Sequence, residues 1–145
     1  MRTKEKQENL VSVLKEWQRI ETRSMAQSAA IMEKTRNPVI RMVMEIIRHD
    51  SGLHHQVQQF IIDSLESRDV SLTVEDLEHV WTALETHIQA ERKTGELVAA
   101  ARKALAGTKS VVPAFLLSYL ASDEEKHDLL LEDLALIKRG MYRSA

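Results

Sequence analysis

The stretch LLSYLASDEEKHDLLLEDLAL, residues 116–136, carries apolar residues three and four positions apart, with an acid and an imidazole near its middle. This spacing places them on one side of an α-helix, because the helix turns once in about 3.6 residues. Along that side lie, in order, Leu117, Leu120, Glu124, His127, Leu131 and Leu134. The stretch therefore predicts a helix whose apolar side includes Glu124 and His127.

The same spacing recurs in three earlier segments, and a sustained alternation of period two is found nowhere in the sequence. Short polar stretches separate the segments before Pro38, Thr73 and Pro113. We predict four helices, at 5–34, 38–67, 74–106 and 112–138. At about 1.5 Å per residue each would be roughly 40 Å long. Such helices with short connections pack most simply as one all-α domain over 1–145, a four-helix bundle.

Two of these helices have a recognisable start. Thr73 precedes the acidic pair Glu75 and Asp76, so its hydroxyl can accept a hydrogen bond from a free amide of the first turn. Pro38 suits the first position of a helix, because the amide hydrogen that it lacks has no intrahelical partner there. We therefore expect the second and third helices to begin at these points.

The composition excludes several classes of chemistry. The chain has 145 residues, 20 Lys plus Arg against 22 Asp plus Glu, a net charge of −2, no cysteine and six histidines. A near-neutral balance disfavours nucleic acid and anionic membranes as partners. Without cysteine there are no disulfides, thiolate zinc sites or iron–sulfur clusters, so carboxylates and histidines remain as metal ligands. The chain shows no apolar run long enough for a signal peptide or a membrane span, and we expect a cytoplasmic protein.

Each predicted helix carries a polar interruption in its apolar side. The inward side of the first helix reads, in order, Leu10, Leu14, Trp17, Glu21, Ser24, Ser28 and Ile31. The third helix contains Glu91, and the second contains His54 with Ser51 one turn before it. A lone charge buried in a bundle costs several kcal/mol unless it is paired or coordinated. These groups therefore pair with one another or hold a cation.

The two halves of the chain are weakly similar around these groups. The segment around Glu21 resembles that around Glu91, and 49–54 resembles 122–127. This similarity suggests two related helical hairpins.

A glutamate on one helix followed by Glu-x-x-His on the next, repeated twice, resembles the ferritin-like superfamily, and Asp123-Glu124-x-x-His127 is most similar to its rubrerythrin branch. The resemblance implies a site for iron or manganese, or for zinc in a crystal, with oxygen or peroxide chemistry if the protein is an enzyme. The ligands that it implies are Glu21 and Glu91 as terminal carboxylates, Glu124 as a bridge, and His54 and His127 as imidazoles. The absence of cysteine excludes the rubredoxin-type iron centre that full-length rubrerythrins append.

Ser51 departs from this pattern, because it occupies the position of the second bridging glutamate. Three carboxylates in place of four would leave two divalent cations with about one excess positive charge. A single-metal site, an open site completed by water or an exogenous anion, or no metal at all is therefore more strongly favoured here than in family members with all four carboxylates.

The predicted connection between the second and third helices also departs from the ferritin-like pattern. Ferritin-like bundles send the chain along the length of the bundle at this point, whereas about eight residues reach at most roughly 28 Å. A plain up-down-up-down bundle is the alternative topology.

Four further residues are candidates for supporting the ligands. Asp50 and Asp123 each precede an inward position and suit orienting a histidine or carboxylate. His87, one turn before Glu91, suits a hydrogen bond to that carboxylate, and Ser51 lies among the ligands. Each also has a simpler interpretation as a solvated or capping group.

Two hypotheses of function follow. In the first, the chain is a ferritin-like metal-binding protein. In the second, the polar groups hydrogen-bond without metal and fix helix register in a non-catalytic module that binds other protein chains. Long helices with few aromatic residues often complete a core by dimerising, so we expect a homodimer under either hypothesis.

Overall fold

The computed structural model describes residues 3–67 and 70–142. Within these ranges the regular structure consists of four α-helices and no strand, which confirms the predicted all-α class and the predicted number of helices. The observed helices are α1 (Thr3–Glu33), α2 (Pro38–Glu66), α3 (Val74–Leu105) and α4 (Val111–Lys138). Each observed end lies within two residues of its predicted position.

Local hydrogen bonds explain where α2 and α3 begin. The side-chain oxygen of Asn37 accepts the backbone N–H of Val39 at 2.9 Å and that of the following residue at 3.1 Å. At the start of α3, the amide of Asp76 donates to Thr73 Oγ1 at 3.1 Å, and the amide of Thr73 donates to Asp76 Oδ2 at 3.0 Å. This reciprocal pair satisfies two amides of the helix terminus, as the sequence around Thr73 predicts.

The end of α4 depends on a glycine. Gly140 has a φ of +67°, a left-handed conformation that glycine adopts without steric cost. In this conformation its amide donates to Ile137 O at 3.0 Å, and the amide of Met141 donates to Leu136 O at 2.8 Å. The two bonds satisfy carbonyls of the last turn and stop the helix.

The chain divides into two compact units, Met1–Ser71 and Leu72–Ala145. The first contains α1 packed against α2, and the second contains α3 packed against α4. Both are antiparallel hairpins, and each is described by itself. The prediction of one domain over 1–145 stays a prediction.

The contact between α1 and α2 differs from the predicted one. Leu14 and Ile62 are its fully buried apolar residues, and Gln18 lies beside them, where its amide donates to His55 O at 3.2 Å. Leu10, Trp17 and Ile31, which the spacing predicts to face inward, are exposed; half of the Trp17 surface is accessible to solvent. The prediction is wrong at these positions, but Leu14, Glu21 and Ser28, which it also places inward, are buried. Together with Gln18 they are the buried residues of α1, so the helix is rotated toward the side that carries Gln18.

In the second hairpin Leu77 is fully buried, and the apolar residues of the α3–α4 contact are half-buried. Trp81 lies at its edge, where the indole N–H donates to Glu85 Oε1 at 2.8 Å and Lys138 Nζ lies 4.9 Å from the ring centroid. Among the described residues, no helix combines the length and apolar character that crossing a membrane requires.

Candidate metal centre

Three of the predicted ligands lie together in the α3–α4 hairpin. Glu91 stands near the middle of α3, while Glu124 and His127 stand one turn apart on α4. One ligand atom from each of the three lies within 4.8 Å of the other two. The i, i+3 spacing on α4 puts the carboxylate and the imidazole on one side of the helix, and antiparallel packing brings Glu91 opposite them.

Glu91 lies between two imidazoles. Its Oε1 is 3.1 Å from Nε2 of His87, one turn earlier on α3, and its Oε2 is 3.5 Å from Nδ1 of His127 on α4. The Glu91 side chain is 12% exposed, whereas both imidazoles are about half exposed. The carboxylate is therefore fixed from both sides and directed toward α4.

The carboxylates of Glu91 and Glu124 face one another across the hairpin, with ligand atoms within 4.8 Å of one another. The neighbouring carboxylate of Glu91 raises the pKa of Glu124 above its ordinary value, and burial raises it further. The same contact lowers the pKa of Glu91, and the neighbouring imidazoles lower it further. The two carboxyls therefore differ in acidity, with the pKa of Glu124 raised and that of Glu91 lowered.

One oxygen of each carboxylate is shielded from solvent and unsatisfied. Oε2 of Glu91 and Oε2 of Glu124 have no hydrogen-bond partner among the residues that the structure describes. A shielded carboxylate oxygen without a partner costs free energy that a bound cation would recover. Two such oxygens beside an imidazole are donors that divalent transition metals accept, so these residues fit a metal ion.

A groove of the second hairpin borders Glu124. Its volume is about 220 Å³, and its lining includes Glu124, Gly95 and Ala121. A Cβ placed at Gly95 would meet nothing within 4 Å, so there is open space beside this glycine.

The other two predicted ligands form a pair in the α1–α2 hairpin. Glu21 is buried at the helix contact, and its Oε1 lies 3.5 Å from Nδ1 of His54. The His54 side chain is 57% exposed, so the pair is reached from solvent on the imidazole side. The prediction that all five ligands share one site stays a prediction.

Ser51 is buried beside this pair and hydrogen-bonded. Its hydroxyl donates to Oγ of Ser24 on α1 at 3.0 Å. Gly52 does not interrupt α2, which continues through it. At this position the first hairpin therefore carries two bonded hydroxyls in place of a carboxylate.

The remaining supporting candidates have different partners. His87 contacts Glu91, as its spacing predicts. Asp123 pairs with Lys126 at 3.0 Å, and this contact lowers the pKa of Asp123. Asp50 lies 3.7 Å from His49 Nδ1, the residue before it.

Sequence reasoning missed the buried glutamines of the first hairpin. Gln18 bridges to α2, where it also donates to Gln59 Oε1 at 3.0 Å. Gln58 is buried on α2, and its Oε1 is without a hydrogen-bond partner in the described part of the chain. Gln18 follows Leu14 by four residues and precedes Glu21 by three, and this helical spacing would have predicted that it is buried with them.

Comparison of the chain with known protein families, curated proteins and solved structures finds no match. The candidate site therefore depends on its own geometry.

Proposed function

We propose that this chain is a ferritin-like metal-binding protein whose α3–α4 hairpin holds a divalent iron, manganese or zinc ion through Glu91, Glu124 and His127. The observation that supports the proposal is the pair of shielded carboxylate oxygens, one on each glutamate, without hydrogen-bond partners in the described ranges. A cation bound to both oxygens would replace the hydration that each carboxylate loses on burial.

The donor set favours these metals by its chemistry. Two carboxylates and one imidazole are hard and borderline ligands, which suit iron(II), manganese(II) and zinc(II) and do not select copper(I). Two negative charges also balance one divalent cation. Three protein ligands leave further coordination positions for water or a substrate.

The surrounding residues would prepare the site for the ion. His87 holds Oε1 of Glu91, so Oε2 of that carboxylate remains directed toward α4. Because the pKa of Glu124 is raised, a cation would compete with a proton for this carboxylate. Bound iron or manganese would supply the oxygen or peroxide chemistry of the ferritin-like proteins that this chain resembles.

A second candidate function is a non-catalytic module that binds other protein chains, most simply a second copy of itself in the cytoplasm. The exposed apolar side chains of α1 favour it, because Val13, Trp17 and Ile20 are each about half accessible. Exposed apolar surface of this kind is typical of protein–protein contacts. A homodimer is compatible with both candidates.

Metal analysis tests the first candidate. Untagged protein is stripped with chelator, incubated with manganese(II) or zinc(II), passed through gel filtration and analysed for metal. We expect about one equivalent per chain in the wild type and loss of it in Glu124→Ala. Glu125→Ala is the matched control, because Glu125 is the exposed neighbouring residue on the same helix.

Two results would contradict the proposal. One is wild-type protein without metal after loading, and the other is Glu124→Ala protein that retains as much metal as the wild type. In the first case, a concentration-dependent dimer that Trp17→Ala disrupts would support the interaction module.

A further inference from the structure

The two hairpins contain the same carboxylate–imidazole pair. In the first, Glu21 lies 3.5 Å from Nδ1 of His54, and in the second Glu91 lies 3.5 Å from Nδ1 of His127. In both, the glutamate is near the middle of the first helix and the histidine is on the second. The two halves of the chain are therefore alike in this side-chain contact as well as, weakly, in sequence.

The hairpins differ at the residue three positions before the histidine. In the second hairpin this residue is Glu124, whose Oε2 is shielded and has no hydrogen-bond partner among the described residues. In the first it is Ser51, whose hydroxyl is satisfied by its bond to Ser24. One position thus carries a carboxyl oxygen without a hydrogen-bond partner among the described residues, and the other carries a hydrogen-bonded hydroxyl.

A second difference concerns the residue four positions before the glutamate. His87 occupies this position in α3 and contacts Glu91 at 3.1 Å. The corresponding residue in α1 is Trp17, which has no ligand atom for a divalent metal and is half exposed. Glu21 therefore has no imidazole one turn before it, whereas Glu91 has that of His87.

From these differences we propose, building on the proposed function, that the chain binds one cation, in the α3–α4 hairpin, and that Ser51 prevents the α1–α2 hairpin from binding a second. Glu21 and His54 alone offer one negative charge to a divalent ion, whereas Glu91 and Glu124 offer two. A carboxylate at residue 51 would restore the missing charge three positions before His54, in the arrangement of Glu124 and His127. Glu21 and His54 thus correspond in position to Glu91 and His127 but bind no metal.

Counting bound metal in a set of variants tests this proposal. The probe is zinc(II), titrated calorimetrically into chelator-stripped, untagged full-length chain, and cobalt(II) absorption reports imidazole coordination. We expect about one equivalent in the wild type and none in Glu124→Ser, which copies the Ser51 arrangement. We expect about two equivalents in Ser51→Glu.

Ser28→Glu is the matched control for the added carboxylate. Ser28 is buried on α1 about as deeply as Ser51 on α2, but the third residue after it is Ile31, which cannot coordinate metal. We expect Ser28→Glu to keep about one equivalent. A second equivalent in this variant would overturn the proposal, because it would show that any buried carboxylate in this hairpin suffices.

Two further variants test the proposal even where a glutamate at residue 51 disrupts folding, which circular dichroism would reveal. Glu21→Gln and His54→Ala should each retain about one equivalent, because the ion is held by the other hairpin. Loss of the zinc ion in either variant would overturn the proposal. Two equivalents of zinc in the wild type would overturn it as well, and so would a folded Ser51→Glu variant that binds no more zinc than the wild type. Absence of zinc from the wild type would instead contradict the proposed function itself.

Discussion

Glu91 and Glu124 approach one another across the α3–α4 hairpin, and Oε2 of each carboxylate is shielded without a hydrogen-bond partner in the part of the chain that is described. Two carboxylates at such a distance do not both ionise readily, because their charges repel. The contact therefore raises the pKa of Glu124 and lowers that of Glu91. A divalent cation bound to both carboxylates would offset this repulsion.

The raised pKa of Glu124 predicts a pH dependence of stability in metal-free protein. The folded chain binds this proton more tightly than the unfolded chain, so the stabilisation is full below the ordinary value of 4.5 and is lost as the pH rises through the raised pKa. We expect the wild type to gain stability relative to Glu124→Gln as the pH falls from neutrality to about 4.5. Urea unfolding of both proteins in chelator, at several pH values, measures this difference. A difference that does not change with pH would contradict the prediction.

Removal of the His87 imidazole should weaken metal binding without removing a residue of the ligand group. His87→Ala frees Oε1 of Glu91, so the carboxylate loses the contact that directs it toward α4. We expect about a tenfold lower affinity for zinc(II), measured by titration, with the number of sites unchanged. His79→Ala is the control, since His79 is an exposed histidine of the same helix. Equal affinities for the two variants would show that His87 does not position Glu91.

The hydroxyl pair of the first hairpin should contribute to stability and leave metal content unchanged. Ser51→Ala removes the donor of the bond to Ser24, and Ser24→Ala removes the acceptor. A double-mutant cycle measured by chemical unfolding should give a coupling of about 1 kcal/mol. Each single variant should bind as much zinc(II) as the wild type. Additive effects of the two substitutions would show that the bond contributes nothing to stability.

Neighbouring isoleucines of α2 should differ sharply in their effect on stability. Ile62 is 2% exposed at the contact with α1, whereas Ile61 is 38% exposed. We expect Ile62→Ala to lower the free energy of unfolding by roughly 3 kcal/mol, because it leaves a cavity at the helix contact. Ile61→Ala should cost less than about 1 kcal/mol. Thermal unfolding of the two variants measures the difference, and similar costs would place the α1–α2 contact on another side of α2.

Features that depend on neighbouring residues in the chain are predictable from the sequence. The start of α3 follows from Thr73 and Asp76, which are three residues apart and hydrogen-bond each other. The i, i+3 relation of Glu124 and His127 and the i, i+4 relation of His87 and Glu91 likewise follow from helix geometry. These separations are fixed once the helix forms, whichever helix lies opposite.

The rotation of each helix toward its partner is not predictable from the same pattern. On α1 the spacing predicts one inward side that includes Leu10, Leu14 and Trp17. The structure buries Leu14 and leaves the other two exposed, and it buries Gln18 in addition. Gln18 is accommodated there because α2 supplies hydrogen-bond acceptors for its amide.

The sequence by itself therefore determined the helices, their ends and the residues able to bind metal, because each of these depends on local spacing and on side-chain chemistry. Only the tertiary structure decided that the Glu91 carboxylate reaches Glu124 and that Ser51 is bonded to Ser24. Both contacts join residues of different helices, so they depend on how far each helix is rotated and how the two are aligned along their lengths. Packing across a whole hairpin sets those quantities, and neither can be read from the spacing within one helix.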